Sequence, residues 1–293
     1  MVRRILFIGF CMTSVSRGEW VDLWPGKPPC ASPIPPGSES VEDHRVSPIE
    51  RPQYELFPAP EGKRTGKAVV VFPGGGYSFL SMKKEGHDVA AWLNQRGITA
   101  MIAKYRVSKN AAHGYQYPVP FLDARRAIRT LRSMSATLGI REVGVMGFSA
   151  GGHLASLCAT RFGDRFAEET KDEIDAISPR PDFAVLIYPV ISMQPIGHSG
   201  SRDRLLGNDP KPEQVRHLST SLHVGKATPR CFLLSTADDF VDCRNSLEFA
   251  TACKAHGVPV TLHLFEKGGH GYGLNGGGEL AAWPSLLDAW LKR

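Results

Sequence analysis

Residues 142–154 read Glu-Val-Gly-Val-Met-Gly-Phe-Ser-Ala-Gly-Gly-His-Leu. The apolar run Val143–Met146 is short and unbroken, as a strand buried on both faces requires, and the residues from Gly151 onward suit a helix. Between them lies Gly147-Phe148-Ser149-Ala150-Gly151, a GxSxG pattern. A strand that turns sharply into a helix needs glycine two residues to either side of the serine, because side chains there would collide. Such a turn lifts Ser149 Oγ above the sheet edge, near the positive end of the helix. Ser149 is therefore the candidate nucleophile. Without the flanking strand and helix, the same five residues would be a glycine-rich turn with an incidental serine.

Outward from this turn, the pattern alternates. Upstream are KAVVVF at 67–72, a buried strand, the helical period of 83–97, the strand ITAMIAKY at 98–105, and the amphipathic helix 119–134. Downstream, FAVLIYPV, CFLLSTA and VTLHLF read as strands, NSLEFATACKAHG as a helix and AWPSLLDAWLKR as a closing helix. Strands separated by helix-length segments imply right-handed crossovers, and hence a three-layer α/β fold with a mostly parallel central sheet. Residues 17–60 are rich in proline and glycine and read as an irregular extension over the surface, with PQYELF (52–57) as an edge strand. The catalytic domain is expected over 61–293, and the less regular stretch 192–229 as a cap or insert beside the site.

A serine needs a base to take its proton, and the base needs an acid to orient it. In this chain order the two should follow the nucleophile in loops after late strands, acid first. After CFLLSTA come Asp238 and Asp239, one of which can turn inward while the other faces water or caps a backbone amide. After VTLHLF comes Glu266-Lys267-Gly268-Gly269-His270-Gly271. Glycine neighbours leave His270 little packing role and let its imidazole descend towards the serine, so it outranks the other histidines as base. His153, four residues beyond Ser149, reads as a support for the turn, and His87 as a packing or hydrogen-bonding residue of its helix. Pro73-Gly74-Gly75-Gly76-Tyr77 follows the first buried strand, where backbone amides can hold a developing alkoxide. The amides of Gly75 or Gly76 and of Ala150 are the expected donors. The glycines do not form a phosphate cradle of the GxxxxGK[ST] or GxGxxG type.

Taken together, PGGGY, GFSAGGHLA, LIYPVIS, TADDFV and FEKGGHGYGL make the chain, over roughly residues 50–293, similar to the acetyl-xylan-esterase-like carbohydrate-esterase branch of the α/β-hydrolase superfamily. The resemblance implies an α/β-hydrolase fold, no cofactor and no metal, with Ser149 as nucleophile, His270 as base and Gly75 or Gly76 in the oxyanion hole. The TADD loop also resembles that of prolyl-oligopeptidase-type peptidases, whose first aspartate is catalytic. That likeness selects Asp238 over Asp239, although Val241-Asp242 stands where many members have Val-Pro. The implied substrate is a small ester or an acetylated saccharide such as xylan. Tyr77, Phe79, Tyr272 and Trp283 are aromatic candidates for a substrate pocket, Tyr77 and Tyr272 foremost, and each is equally suited to a core. Two rivals remain: a small peptidase, for which 293 residues leave no large specificity domain, and a catalytically silent binding protein, against which an apparently complete triad argues.

The formal net charge is +6. Its placement argues against nucleic acid: Arg125, Arg126, Arg129 and Arg132 share one helix that needs a wet face, with no aromatic interleaving or zinc-finger spacing. The first sixteen residues, with Arg3 and Arg4 before an apolar run from Ile5 to Met12 and then small residues, have the order of a secretory signal. A secreted or periplasmic protein is expected if this segment is cleaved, and a cytoplasmic one if it is not. No run approaches the length of a membrane span. Of six cysteines, Cys158, Cys231 and Cys253 fall in core-facing elements, and no pair has CxxC spacing.

Overall fold

A computed structural model describes residues 18–30, 34–107, 115–169 and 172–293. The N-terminal segment read as a secretory signal lies outside the described residues. In chain order the strands are β1 (Trp20–Asp22), β2 (Ser40–Glu42), β3 (Arg45–Ser47), β4 (Gln53–Phe57), β5 (Lys67–Phe72), β6 (Leu80–Ser81), β7 (Thr99–Lys104), β8 (Glu142–Phe148), β9 (Phe183–Ile187), β10 (Arg230–Thr236) and β11 (Val260–Phe265). The helices are α1 (Asp88–Gln95), α2 (Val119–Ser133), α3 (Ser135–Leu138), α4 (Ala150–Thr160), α5 (Ser199–Leu206), α6 (Pro212–His217), α7 (Arg244–Ala255) and α8 (Trp283–Leu291).

Eight strands form one sheet in the order β1-β4-β7-β5-β8-β9-β10-β11, parallel from β7 to β11 and antiparallel at β1 and β4. The central strands are apolar without alternation because helices cover both faces: every residue of β7 and β9 is buried, as is all of β5 after Lys67. This is the expected α/β architecture. Strand order reverses at β5, since the chain runs outward to β7 through α1 and then returns across it to β8 through α2. A crevice therefore opens beyond the carboxyl ends of β5 and β8. The register Phe72↔Gly147 brings the loops after these two strands side by side.

Three expectations change. The sheet begins before residue 61, because β1 and β4 belong to it. PQYELF is moreover an inner strand, paired with β7 on one side and covered by the true edge β1 on the other. Proline density hid these strands, whose ladders run only through the residues between the prolines. A second small sheet, β2-β3-β6, joins the extension to the segment after the PGGGY turn.

The basic face of α2 is not wet. Arg125, Arg126 and Arg129 are almost wholly buried under the chain that leads from α4 to β9. Arg125 Nη2 reaches Glu169 Oε1 at 2.8 Å and Arg126 Nη1 reaches Asp172 Oδ1 at 2.6 Å. Arg129 Nη1 reaches the same Glu169 oxygen at 2.9 Å. The planar guanidinium presents several donors at fixed angles, so one arginine can satisfy a carboxylate and a carbonyl at once; Arg129 Nε also donates to Ile177 O. The charges of these three arginines are thus matched by carboxylates inside the molecule. The stretch 192–229 carries α5 and α6, and its Leu205, Leu206 and Leu218 are buried in the common core. Cys158, Cys231 and Cys253 are buried and unpaired by disulfides. Among the described residues no helix is long and apolar enough to cross a membrane.

Candidate active site

The turn after β8 is as sharp as its glycines suggest. Ser149 has φ 54° and ψ −119°, a conformation that costs a non-glycine residue free energy and persists only where neighbours enforce it. Its amide donates to Ile187 O at 3.0 Å, and its carbonyl accepts from Val190 N at 3.0 Å and His153 N at 3.1 Å. A Cβ on Gly147 would lie 2.0 Å from Gly151 O, and one on Gly151 would lie 2.1 Å from Phe72 O. Only hydrogen fits at either position.

His270 Nε2 lies 2.9 Å from Ser149 Oγ, and His270 Nδ1 lies 2.8 Å from Asp239 Oδ2. The Asp239 side chain is fully buried, and its other oxygen accepts from Val241 N at 2.8 Å. The imidazole is held between Phe240 and Tyr188, with ring centroids 4.4 and 4.8 Å away.

Asp238 does not reach the histidine. The two adjacent side chains of the TADD loop point to opposite sides. Asp238 Oδ1 and Oδ2 accept from Gly269 N at 2.8 Å and Gly268 N at 3.2 Å. Those amides, Gly269 first, hold its carboxyl below the usual carboxylate range. Asp238 clamps the loop that carries His270, while Asp239 meets the ring. The peptidase-like alignment of this loop is one residue out of step with the geometry.

Of the three glycines after β5, Gly74 donates its amide to Glu85 Oε2 at 2.7 Å and has no N–H left for a ligand. Gly75 and Gly76, at φ 136° and 63°, line the cavity with Ser149. Among the described residues, neither their amides nor that of Ala150 has a hydrogen-bond acceptor. Ala150 opens α4, where an N–H has no partner within the helix.

His153 lies beneath the turn with no exposed surface. Its Nε2 is 2.7 Å from Leu218 O and must carry the proton, so Nδ1 accepts from Tyr77 Oη, also at 2.7 Å. Burial lowers its pKa to about 4, which keeps the ring neutral. This position corrects the expectation for Tyr77, which is buried and anchors the turn from below instead of facing substrate. Tyr272 is corrected likewise: it packs edge-on against Tyr188, with centroids 4.6 Å apart, and does not line the cavity. Trp283 is core, whereas Phe79 does line the cavity. His87 hydrogen-bonds Glu55 at 2.8 Å, away from the site.

Four residues of the site gave no sequence signal. Glu85 is a buried acid within a helical pattern, and Tyr188 ends a strand as many tyrosines do. Phe240 and His198 enter the site only through loop geometry. Burial raises the Glu85 pKa, opposed mainly by the hydrogen bond from Tyr188 Oη at 2.8 Å.

A serine on a strained strand-to-helix turn, a histidine and acid from the loops after the last two strands, and free amides after β5 define the α/β-hydrolase class. The chain belongs to the BD-FAE family, whose profile matches residues 55–253. It is 33% identical over 217 residues to an acetylxylan esterase of Xylanibacter ruminicola, covering 71% of this chain and 42% of that protein. It is 32% identical over 206 residues to endo-1,4-beta-xylanase B of Butyrivibrio fibrisolvens, covering 69% and 32% respectively. The chain thus spans less than half the length of these curated relatives. Among solved structures, an acetyl ester-xyloside bifunctional hydrolase from Caldicellulosiruptor lactoaceticus superposes with a TM-score of 0.83 at 39% identity, covering 95% of this chain and 97% of that one. The resemblance carried by PGGGY and GFSAGGHLA is borne out: this is an acetyl-xylan-esterase-like α/β-hydrolase.

Proposed function

We propose that the protein is a serine esterase that removes short acyl groups, acetyl above all, from saccharides such as xylan. The observation that carries this reading is the unbroken hydrogen-bonded chain Ser149 Oγ–His270–Asp239 beside unpaired amides. His270 takes the serine proton as Oγ attacks the ester carbonyl, and Asp239 holds the tautomer whose Nε2 can accept it. The amides of Ala150 and of Gly75 or Gly76 receive the oxyanion, a type of contact worth about 3 kcal/mol per donor in related chemistry. His270 then protonates the leaving alcohol, and the same base activates the water that frees the acid and restores Ser149. The saccharide class rests on the names of the relatives. A polymeric substrate of this kind, which does not cross membranes, accords with a secreted or periplasmic place of action.

Ser149→Ala should fold normally, lose labelling by a fluorophosphonate and release no acetate from acetylated xylan. Acetate release at the wild-type rate by that variant would overturn the assignment of the nucleophile. Cleavage of proline-containing peptides in preference to esters would favour a peptidase.

A further inference from the structure

The cavity in front of Ser149 has a volume of about 630 Å³, room for a sugar residue rather than an acetyl group alone. Its charge is one-sided. Arg45, Lys83, Lys84 and Arg204 line it against Asp43 and Glu85, and both oxygens of Glu85 are taken by Gly74 and Tyr188.

Among the described residues Lys83 pairs with Asp88 at 3.9 Å while Arg45, Lys84 and Arg204 form no ion pair, and of these three the arginines present planar, multiply donating groups. Arg45, from β3, places its guanidinium carbon 5.0 Å from the ring centre of Phe79, just beyond the PGGGY turn. Arg204, from α5, donates Nη1 to Gly200 O at 3.0 Å, while its buried Nε has no hydrogen-bond partner among the described residues. Arg204 also sits close to the chemistry. A Cβ on Gly200 would lie 3.0 Å from Arg204 Nη1 and 3.1 Å from His198 Cε1, and a Cβ on Gly76 would lie 3.8 Å from that same His198 atom. One imidazole therefore separates Arg204 from the oxyanion turn. On α2, by contrast, the buried guanidinium groups are matched with carboxylates. An arginine that lines a cavity without a carboxylate partner suits an anion that arrives with the ligand.

We propose that Arg204 and Arg45 form an anion subsite that selects esters whose saccharide carries a carboxylate, such as acetylated uronic-acid-bearing glycans. The proposal rests on the esterase function above and adds to it the charge of the preferred substrate. The cationic wall attracts the carboxylate as the sugar enters, and the fork of Arg204 fixes which hydroxyl ester meets Ser149.

The test compares acetylated methyl glucuronoside with acetylated methyl glucoside, which differ in a carboxylate at one carbon. The wild-type enzyme should favour the glucuronoside by about tenfold in kcat/KM, the size of one partly solvated charge-assisted contact, and the preference should shrink in high salt. Arg204→Gln and, separately, Arg45→Gln should each reduce the ratio, whereas Lys254→Gln, which removes the same charge from an exposed helical position, should keep it. Equal rates on the two acetates, or a ratio untouched by both arginine variants, would overturn the proposal. A preference seen only between the hemisuccinate and the acetate of a neutral alcohol would overturn the assignment of the carboxylate to the saccharide. Calorimetry of the two acetates on Ser149→Ala reads the subsite without turnover. No hydrolysis of either acetate by wild type would count against the esterase function, while equal affinity for both would count against the subsite.

Discussion

The hydroxyl of Tyr188 donates to Glu85 Oε1 at 2.8 Å, and through this bond one buried carboxylate supports both halves of the site. Glu85 Oε2 holds the amide of Gly74, next to the proposed oxyanion donors. Tyr188 Oη accepts from Gly273 N at 3.1 Å, three residues beyond His270, while its ring packs on the imidazole. Glu85→Ala would leave two buried donors unsatisfied, a loss of about 1–3 kcal/mol each. It should lower kcat by about tenfold or more with a smaller change in KM, because groups that act together would drift out of register. Urea unfolding and steady-state kinetics on p-nitrophenyl acetate read the two effects. A fall in stability with unchanged kcat would reduce Glu85 to a purely structural role.

The same carboxyl has a signature in pH. Burial raises its folded pKa, so as pH climbs past the unfolded value the unfolded chain gives up a proton that the native state keeps. Stability attributable to Glu85 is therefore fully present in acid and declines until the group ionises in the fold as well. Asp238 acts in the opposite sense: its folded pKa is depressed, so its contribution is present above the unfolded value and is lost as pH falls through the folded one. The stability difference between wild type and Glu85→Gln should shrink from acid towards neutral pH, and that between wild type and Asp238→Asn should vanish in acid. Denaturant titrations across pH measure both trends, and parallel curves for wild type and either variant would contradict them.

The neighbouring aspartates should separate sharply in kinetics. Asp239 meets His270 Nδ1, so Asp239→Asn presents an amide that favours the wrong tautomer and should lower kcat by about 10⁴. Asp238→Asn weakens the clamp on Gly268 and Gly269 and should cost about tenfold, the scale of a loosened but intact base. Comparable losses, or the reverse order, would return the acid role to Asp238.

Much of this site is legible in sequence because backbone geometry demands particular residues. No side chain fits at Gly147 or Gly151, so the elbow announces itself, and glycine-flanked His270 follows from chain order. The choice between Asp238 and Asp239 is not legible, because it depends on which way a two-residue loop turns. The loop alternates its side chains, and an alignment slipped by one residue exchanges their roles. Tyr77 and Tyr272 mislead for another reason: aromatic residues near a catalytic motif serve equally to line a cavity or to brace it from below, and only burial decides. The strands before residue 61 are hidden by prolines that border short ladders, and the α2 arginines look solvated because their acidic partners are some forty residues distant in sequence.

The buried pair Arg106–Asp123 offers a test of the fold itself. Neither side chain is exposed; Arg106 Nη2 meets Asp123 Oδ1 at 2.6 Å, its backbone amide meets Oδ2 at 2.9 Å, and Nη1 meets Pro29 O at 2.8 Å. The pair thus ties the chain after β7 to α2 and to the N-terminal extension. Removing one partner strands a buried charge, so Asp123→Asn should destabilise the protein by about 3–5 kcal/mol even though its shape is conserved. Replacing both, as Arg106→Met with Asp123→Leu, removes the stranded charge as well and should cost less than the sum of the two single changes. Urea unfolding of the four proteins of this cycle measures the coupling. Additive losses would show that Arg106 is held by the carbonyls of the extension and not by Asp123.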